Sequence, residues 1–217
     1  MAAYERWDGW QVHDEAGRRK YLNGAERTRF LGAADRLAPR MQALCHVLAY
    51  TGCRLSEALA LTMAQVDAER LTLTIKTLKR RRTVFRVVPV PRATVDMLRG
   101  LVPGASGRFW SVHRVTAWRV VKSAMHRAGI TGPMACPKGL RHGFSMRAAG
   151  HNVPTNLIQR WMGHASRTTT AIYLNAVGIE EPVREPHVVT HRRVLPDASP
   201  LAPPNTIEPR GRRSKSG

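Results

Sequence analysis

Lys138-Gly139-Leu140-Arg141-His142-Gly143-Phe144 opens the stretch on which the reading of this chain turns. It continues to Trp161-Met162-Gly163-His164 and then to Ser166-Arg167-Thr168-Thr169-Thr170-Ala171-Ile172-Tyr173. Arg141, His164 and Tyr173 thus follow one another as a cation, an imidazole and a phenol. The spacing predicts a helix that carries Lys138, Arg141 and His142, with Phe144, Met146 and Ala148 packing and Gly150 ending it. A second helix starts at Pro154, runs through Leu157, Ile158, Trp161 and Met162, and stops at Gly163. His164 then sits just past a helix end, and Ser166 caps a last helix with Tyr173 about two turns in.

Upstream, Thr51-Gly52-Cys53-Arg54-Leu55-Ser56-Glu57 places a second isolated arginine just after a glycine turn. The helix before it begins with Pro39 as first residue, and Met41, Leu44, Cys45 and Leu48 form its buried stripe. A shorter helix from Ala25 to Leu37 precedes it, with Phe30, Ala33, Ala34 and Leu37 on one face. Arg54 begins a short helix packed through Leu55, Leu59 and Leu61, and Glu57 is placed to orient a basic neighbour. Leu71 to Ile75 alternates in period two, as does much of Val84 to Val90, so the two read as a hairpin. Between them lies Lys76-Thr77-Leu78-Lys79-Arg80-Arg81-Arg82, whose ordinary reading is a solvated turn. Thr94 to Leu101 is a short helix. Another is expected from an N-cap at Ser111 to about Ala128, with Val115, Trp118, Val121 and Met125 on its core face.

Composition narrows the partner. The 217 residues carry 43% hydrophobic and 23% charged side chains, as in an ordinary globular domain, but the formal charge is +20. Such a field concentrates polyanions. No apolar run approaches bilayer length and the N-terminus has no signal-peptide core, so DNA is a better partner than a membrane. Three cysteines without C-x-x-C spacing argue for reduced thiols and against a disulfide frame or zinc site. No Gly-rich phosphate loop and no acid/histidine set with metal spacing is present, so neither ATP nor a divalent metal is implied. Residues 1–20 are polar with Trp7 and Trp10 and read as a poorly ordered lead-in; residues 21–181 read as one domain. Residues 182–217 hold seven of the 14 prolines with many basic residues, a tail expected to be disordered.

In their order and spacing these motifs strongly resemble the tyrosine recombinase (phage-integrase) family. Its pattern is T-G-x-R-x-S-E, a lysine on a β-hairpin, H-x-L-R-H-x-F, L-G-H, and a tyrosine nine residues beyond that histidine. Here His164 and Tyr173 are nine apart. The resemblance implies a mainly α fold with a small antiparallel β-sheet (α+β), the family's catalytic-domain fold. It also implies DNA cleavage and rejoining without a cofactor, because a covalent 3′-phosphotyrosine link conserves the energy of the broken bond.

On this resemblance the catalytic set is Arg54, Lys79, Lys138, Arg141, His164 and Tyr173. Lys76, Arg80, Arg81 and Arg82 are the DNA-contacting residues of the hairpin. Planar guanidinium groups match the non-bridging phosphate oxygens. A hairpin lysine protonates the leaving 5′-oxygen; Lys79 is favoured by its place near the turn, and Lys76 stays as the alternative. Lys138 stands where the family usually has histidine, so it can bind a phosphate oxygen but not accept a proton while charged. His142 reads as structural.

The implied partners are double-stranded DNA and further recombinase subunits on it, in a cytoplasm and on bacterial nucleoid DNA. The chain departs from the family pattern at both ends. The usual N-terminal core-binding domain is expected to be missing, and the region after Tyr173 is Pro-rich where the family has an exchanged helix. Two other readings remain open: a catalytically silent DNA-binding accessory protein of the same fold, and a topoisomerase-like nicking and resealing enzyme.

Overall fold

The computed structural model describes residues 11–77, 84–104, 107–166 and 168–177. Lys79, Arg80, Arg81 and Arg82, the two tryptophans of the lead-in and the tail from 182 lie outside them. Residues 11–20 fold back on themselves: Lys20 N–H donates to the Val12 carbonyl, and Asp14 accepts from the Ala16 and Arg18 amides. Val12 and Tyr21 are buried, so this part of the lead-in is docked on the domain.

Helix α1 (Gly24–Ala34) starts where Asn23 and Glu26 exchange side-chain and backbone bonds in a capping box. Helix α2 (Pro39–Thr51) starts on proline and ends at Gly52, whose φ of 60° is left-handed. The α2 interior, including Leu44, Cys45, Val47 and Leu48, is fully buried, each such aliphatic side chain contributing about 2 kcal/mol. Helix α2 packs against α1, α4 (Arg92–Arg99) and α6 (Pro137–Gly150) and forms the spine of the main core. Short helix α3 (Leu55–Leu59) follows Gly52 almost at once.

The sheet has three antiparallel strands in the order β1 (Val66–Asp67), β2 (Thr72–Thr77), β3 (Val84–Pro89). The two-residue β1 has no sequence signal of its own. Across the hairpin Ile75 faces Arg86, Lys76 faces Phe85 and Thr77 faces Val84. Strand alternation therefore puts Ile75, Thr77 and Arg86 on the inner face, and Lys76 and Phe85 on the outer one.

Helix α5 (Arg114–Arg127) departs from the expected face. His113, not Ser111, is its N-cap, accepting from the Val115 amide, and Val115 and Trp118 are 44% and 42% exposed. The buried stripe is Ala117, Val121, Ala124 and Met125, turned from the one the large residues suggested. Small alanines let α5 lie close against α1 and α3, which Trp118 would hold off. Its indole instead takes the Lys122 ammonium over its face at 5.7 Å.

Helices α6, α7 (Thr155–Met162) and α8 (Thr168–Val177) form a second, smaller core of Met146, Ala148, Ala149, Ile158, Met162 and Tyr173. Ser166 Oγ accepts from the Thr168 amide at the start of α8, as the sequence suggested.

Candidate active site

Two left-handed glycines bring the site together. Gly52 ends α2 and Gly163, at φ 63°, ends α7, so each turns the chain sharply after a helix. A Cβ at Gly52 would lie 2.7 Å from Phe144 Cδ1, because α6 crosses against this turn. Arg141, buried in α6, links the two exits. Its NH1 donates to the Gly52 carbonyl at 2.6 Å and its NH2 to the Met162 carbonyl at 2.7 Å. These bonds take two of the five N–H donors of a guanidinium.

Arg54 is the residue before α3. Its backbone N–H donates to Glu57 Oε2 at 2.9 Å and its NH1 to Glu57 Oε1 at 3.0 Å. The Arg54 side chain keeps 30% exposure while that of Glu57 has none. Burial pushes the Glu57 carboxyl up, but Arg86 and Arg54 outweigh it and hold it below its ordinary value.

His164 follows Gly163, and its Nδ1 meets Thr170 Oγ1 at 3.0 Å. The Tyr173 ring stacks on it, with centroids 6.2 Å apart and planes 12° from parallel. The Tyr173 hydroxyl meets His142 Nδ1 at 2.7 Å, and the residue is only 2% exposed. Burial pushes the phenol up to about 12, although the Arg141 charge and a hydrogen bond with Ser145 pull the other way. Burial, with the Arg141 and Arg54 charges, pushes His164 down to about 3. Burial, with Lys138 and Arg141, does the same to His142. Both imidazoles are thus neutral and the phenol protonated at neutral pH. Burial and the neighbouring Arg54 lower Arg141 to about 10, which leaves it a cation.

Four of the residues singled out in the sequence therefore meet: Arg54, Arg141, His164 and Tyr173. Lys138 is exposed in the first turn of α6, and its charge acts on His142. Lys76 is exposed on the outer hairpin face, opposite Phe85 and away from Thr77 and Arg86. His142, read from sequence as structural, touches the Tyr173 hydroxyl.

Arg86 was not singled out by sequence reasoning. It donates to Glu57 Oε2 at 2.5 Å, to Thr77 Oγ1 at 2.9 Å and, through Nε, to the Trp161 carbonyl at 2.7 Å. A signal was available, since the arginine occupies an inward position of a period-two strand between Val84 and Val88. Beside it a cleft of about 390 Å³ opens between the hairpin and α7, lined by Thr77, Phe85, Arg86, Gln159, Arg160 and His164 among others.

Among the described residues no three His, Cys, Asp or Glu side chains cluster as metal ligands would, and no helix is long and apolar enough to cross a membrane. Burial pushes the Cys45 and Cys53 thiols up to about 12 and about 11, so neither forms a thiolate at neutral pH.

A helical domain with a small antiparallel sheet, bearing Arg54, Arg141, His164 and Tyr173 in one place, has the fold of a tyrosine recombinase catalytic domain. The crystal structure of XerA recombinase superposes with a TM-score of 0.62 at 27% identity, over 71% of this chain and 59% of that one. XerH site-specific recombinase, in a post-cleavage complex with palindromic difH substrate, superposes at 0.64 and 23% identity, over 78% of this chain and 54% of that one. The phage integrase family pattern matches residues 20–177, and the chain belongs to that family. Tyrosine recombinase XerD of Mycobacterium leprae (strain TN) is 33% identical over 156 residues, 63% of this chain and 48% of that protein. The XerD of Bifidobacterium longum (strain NCC 2705) is 28% identical over 184 residues, 75% of this chain and 57% of that protein. The chain thus spans about half the length of the relatives it matches.

Proposed function

We propose that this protein cleaves and rejoins double-stranded DNA through a covalent 3′-phosphotyrosine link to Tyr173. The observation that carries this reading is the meeting of Arg54 and Arg141 with His164 and the Tyr173 phenol. Arg54 and Arg141 stabilise the charge that gathers on the non-bridging oxygens, each such donor being worth about 3 kcal/mol. Tyr173 Oη forms the new bond to phosphorus while the bond from phosphorus to the 5′-oxygen breaks. The phenol's proton passes to a neutral imidazole, and His142 Nδ1, at 2.7 Å, is the acceptor this geometry favours. The 5′-oxygen takes a proton from a hairpin lysine. Lys76 lies on the outer face, which supports Lys79 for this role. In rejoining, a 5′-hydroxyl attacks the phosphotyrosine and both protons return.

Lys138, placed near His142, binds phosphate rather than acting as a base. Lys76 with Arg80, Arg81 and Arg82 contacts the duplex, and further recombinase subunits complete the assembly on it. The protein works in the cytoplasm, on nucleoid DNA. Since Tyr173 is buried, its helix must shift before the hydroxyl reaches a phosphate.

The test is covalent attachment to a nicked duplex from which the short 5′-hydroxyl fragment diffuses away. A protein–DNA adduct that survives denaturant and maps to Tyr173 is expected. DNA binding without an adduct would favour the accessory-protein reading. An adduct that reseals only its own strand, never a second duplex, would favour the topoisomerase-like one.

A further inference from the structure

We infer that Arg86 is a positioning residue that clamps the β2–β3 hairpin onto the site and so sets where the hairpin lysine can reach. This rests on the reading that a lysine of that hairpin protonates the leaving 5′-oxygen. The clamp is visible in the bonds of one side chain. Arg86 is only 3% exposed, and its planar guanidinium is fixed by acceptors on three elements: Thr77 Oγ1 on β2, Glu57 Oε2 on α3 and the Trp161 carbonyl at the end of α7.

Each acceptor leads to a different part of the site. The other Glu57 oxygen holds Arg54, so the hairpin and the Arg54 guanidinium share one carboxylate. Trp161 and Met162 end α7, where helix carbonyls lack partners within the helix. Arg86 takes the first of these carbonyls and Arg141 the second. The next two residues are Gly163 and His164. A Cβ at Gly163 would lie 3.3 Å from Arg86 NH1 and 3.4 Å from Thr77 Oγ1, so the turn before His164 sits directly on the clamp. Thr77 is the last described residue of β2, and Lys79 follows two positions later.

A hairpin could be held to a domain by apolar packing alone. A buried ion pair is weak evidence for stability, because hydrophobic isosteres often do as well. What three directed bonds add is register. A misplacement of about 1 Å in a reacting group costs about 100-fold in rate. The lysine is the group on the hairpin with most to lose.

The experiment uses the full chain and single-turnover cleavage of two nicked duplexes, one with the natural bridging 5′-oxygen and one with sulfur there. Sulfur leaves as a thiolate and needs no proton. Arg86→Lys keeps a charge for Glu57 but loses the fork, and Thr77→Val removes only the bond on the β2 side. Thermal melts establish that each variant is folded. Arg86→Lys is expected to lose about 100-fold on the oxygen duplex and less than about 5-fold on the sulfur duplex, with DNA affinity unchanged within about 3-fold. Thr77→Val is expected to change in the same direction by a smaller factor.

Equal losses on both duplexes would show a merely structural role, and no loss on either would show no role; both overturn the inference. Lys79→Ala and Lys76→Ala separate this from the reading beneath it. If one of them raises the sulfur-to-oxygen rate ratio and the Arg86 and Thr77 variants do not, the clamp alone is refuted. If neither does, the general-acid reading fails and the clamp fails with it.

Discussion

Replacing Tyr173 by phenylalanine removes one oxygen and leaves a ring that stacks on His164 and packs among Met146, Ile158 and Met162. The lost oxygen is the one that meets His142 Nδ1 at 2.7 Å in a site shielded from water. Deleting one partner of a buried hydrogen bond costs about 1–3 kcal/mol, and no cavity beyond the hydroxyl is made. Urea unfolding of Tyr173→Phe should therefore show a stability loss in that range with an unchanged m-value. DNA binding should be kept, because the charges that attract phosphates are untouched. The covalent adduct should vanish altogether. The assay is a denaturing gel of protein incubated with labelled nicked duplex, beside a binding titration of the same preparation. An adduct of normal yield in Tyr173→Phe would refute the assignment of the nucleophile. A loss of more than about 5 kcal/mol would refute the account of the phenol as a replaceable packing group.

Arg54→Lys and Arg141→Lys keep the charge but lose the planar fork, and each should lower adduct formation by about 1,000-fold; double substitution should cost little more, because the proposed mechanism has the two act on one phosphate as a unit. Glu57→Gln leaves Arg86 and Arg54 with an uncharged partner in a buried place and should cost about 3–5 kcal/mol by urea unfolding, where a loss under about 1 kcal/mol would contradict the network. Acid should destabilise the fold below pH 6.5: the unfolded chain binds protons at His142 and His164 near the ordinary 6.5, whereas the folded chain does so only near 3. Stability at pH 5 should then fall by about 2 kcal/mol for each histidine relative to pH 7, the lowered Glu57 carboxyl adding loss at still lower pH, and a flat urea midpoint from pH 7 to 5 would refute this.

Much of this protein is legible in its sequence because its signals are local. Pro39 and Gly52 bound α2, Gly163 ends α7, Ser166 opens α8, and strict alternation marks β2 and β3. Each depends on a φ value, a cap or a period, which residues a few positions apart decide between themselves. The order of Arg54, Arg141, His164 and Tyr173 was legible through the resemblance to the tyrosine recombinase family, whose motifs are short stretches in register along the chain. What tertiary structure decided is which of two competing faces wins and which distant groups become neighbours. Trp118 looked like core and is exposed, because α5 approaches α1 and α3 closely enough to prefer Ala117 and Ala124. Arg86 drew no notice in the sequence, because its acceptors on β2, α3 and the end of α7 become neighbours only when the hairpin packs on the helices. His142 gained its place against the Tyr173 hydroxyl only when α8 docked on α6. Desolvation is a property of the assembled core. Local sequence could supply the groups, but only packing could take the water away and so set their charges.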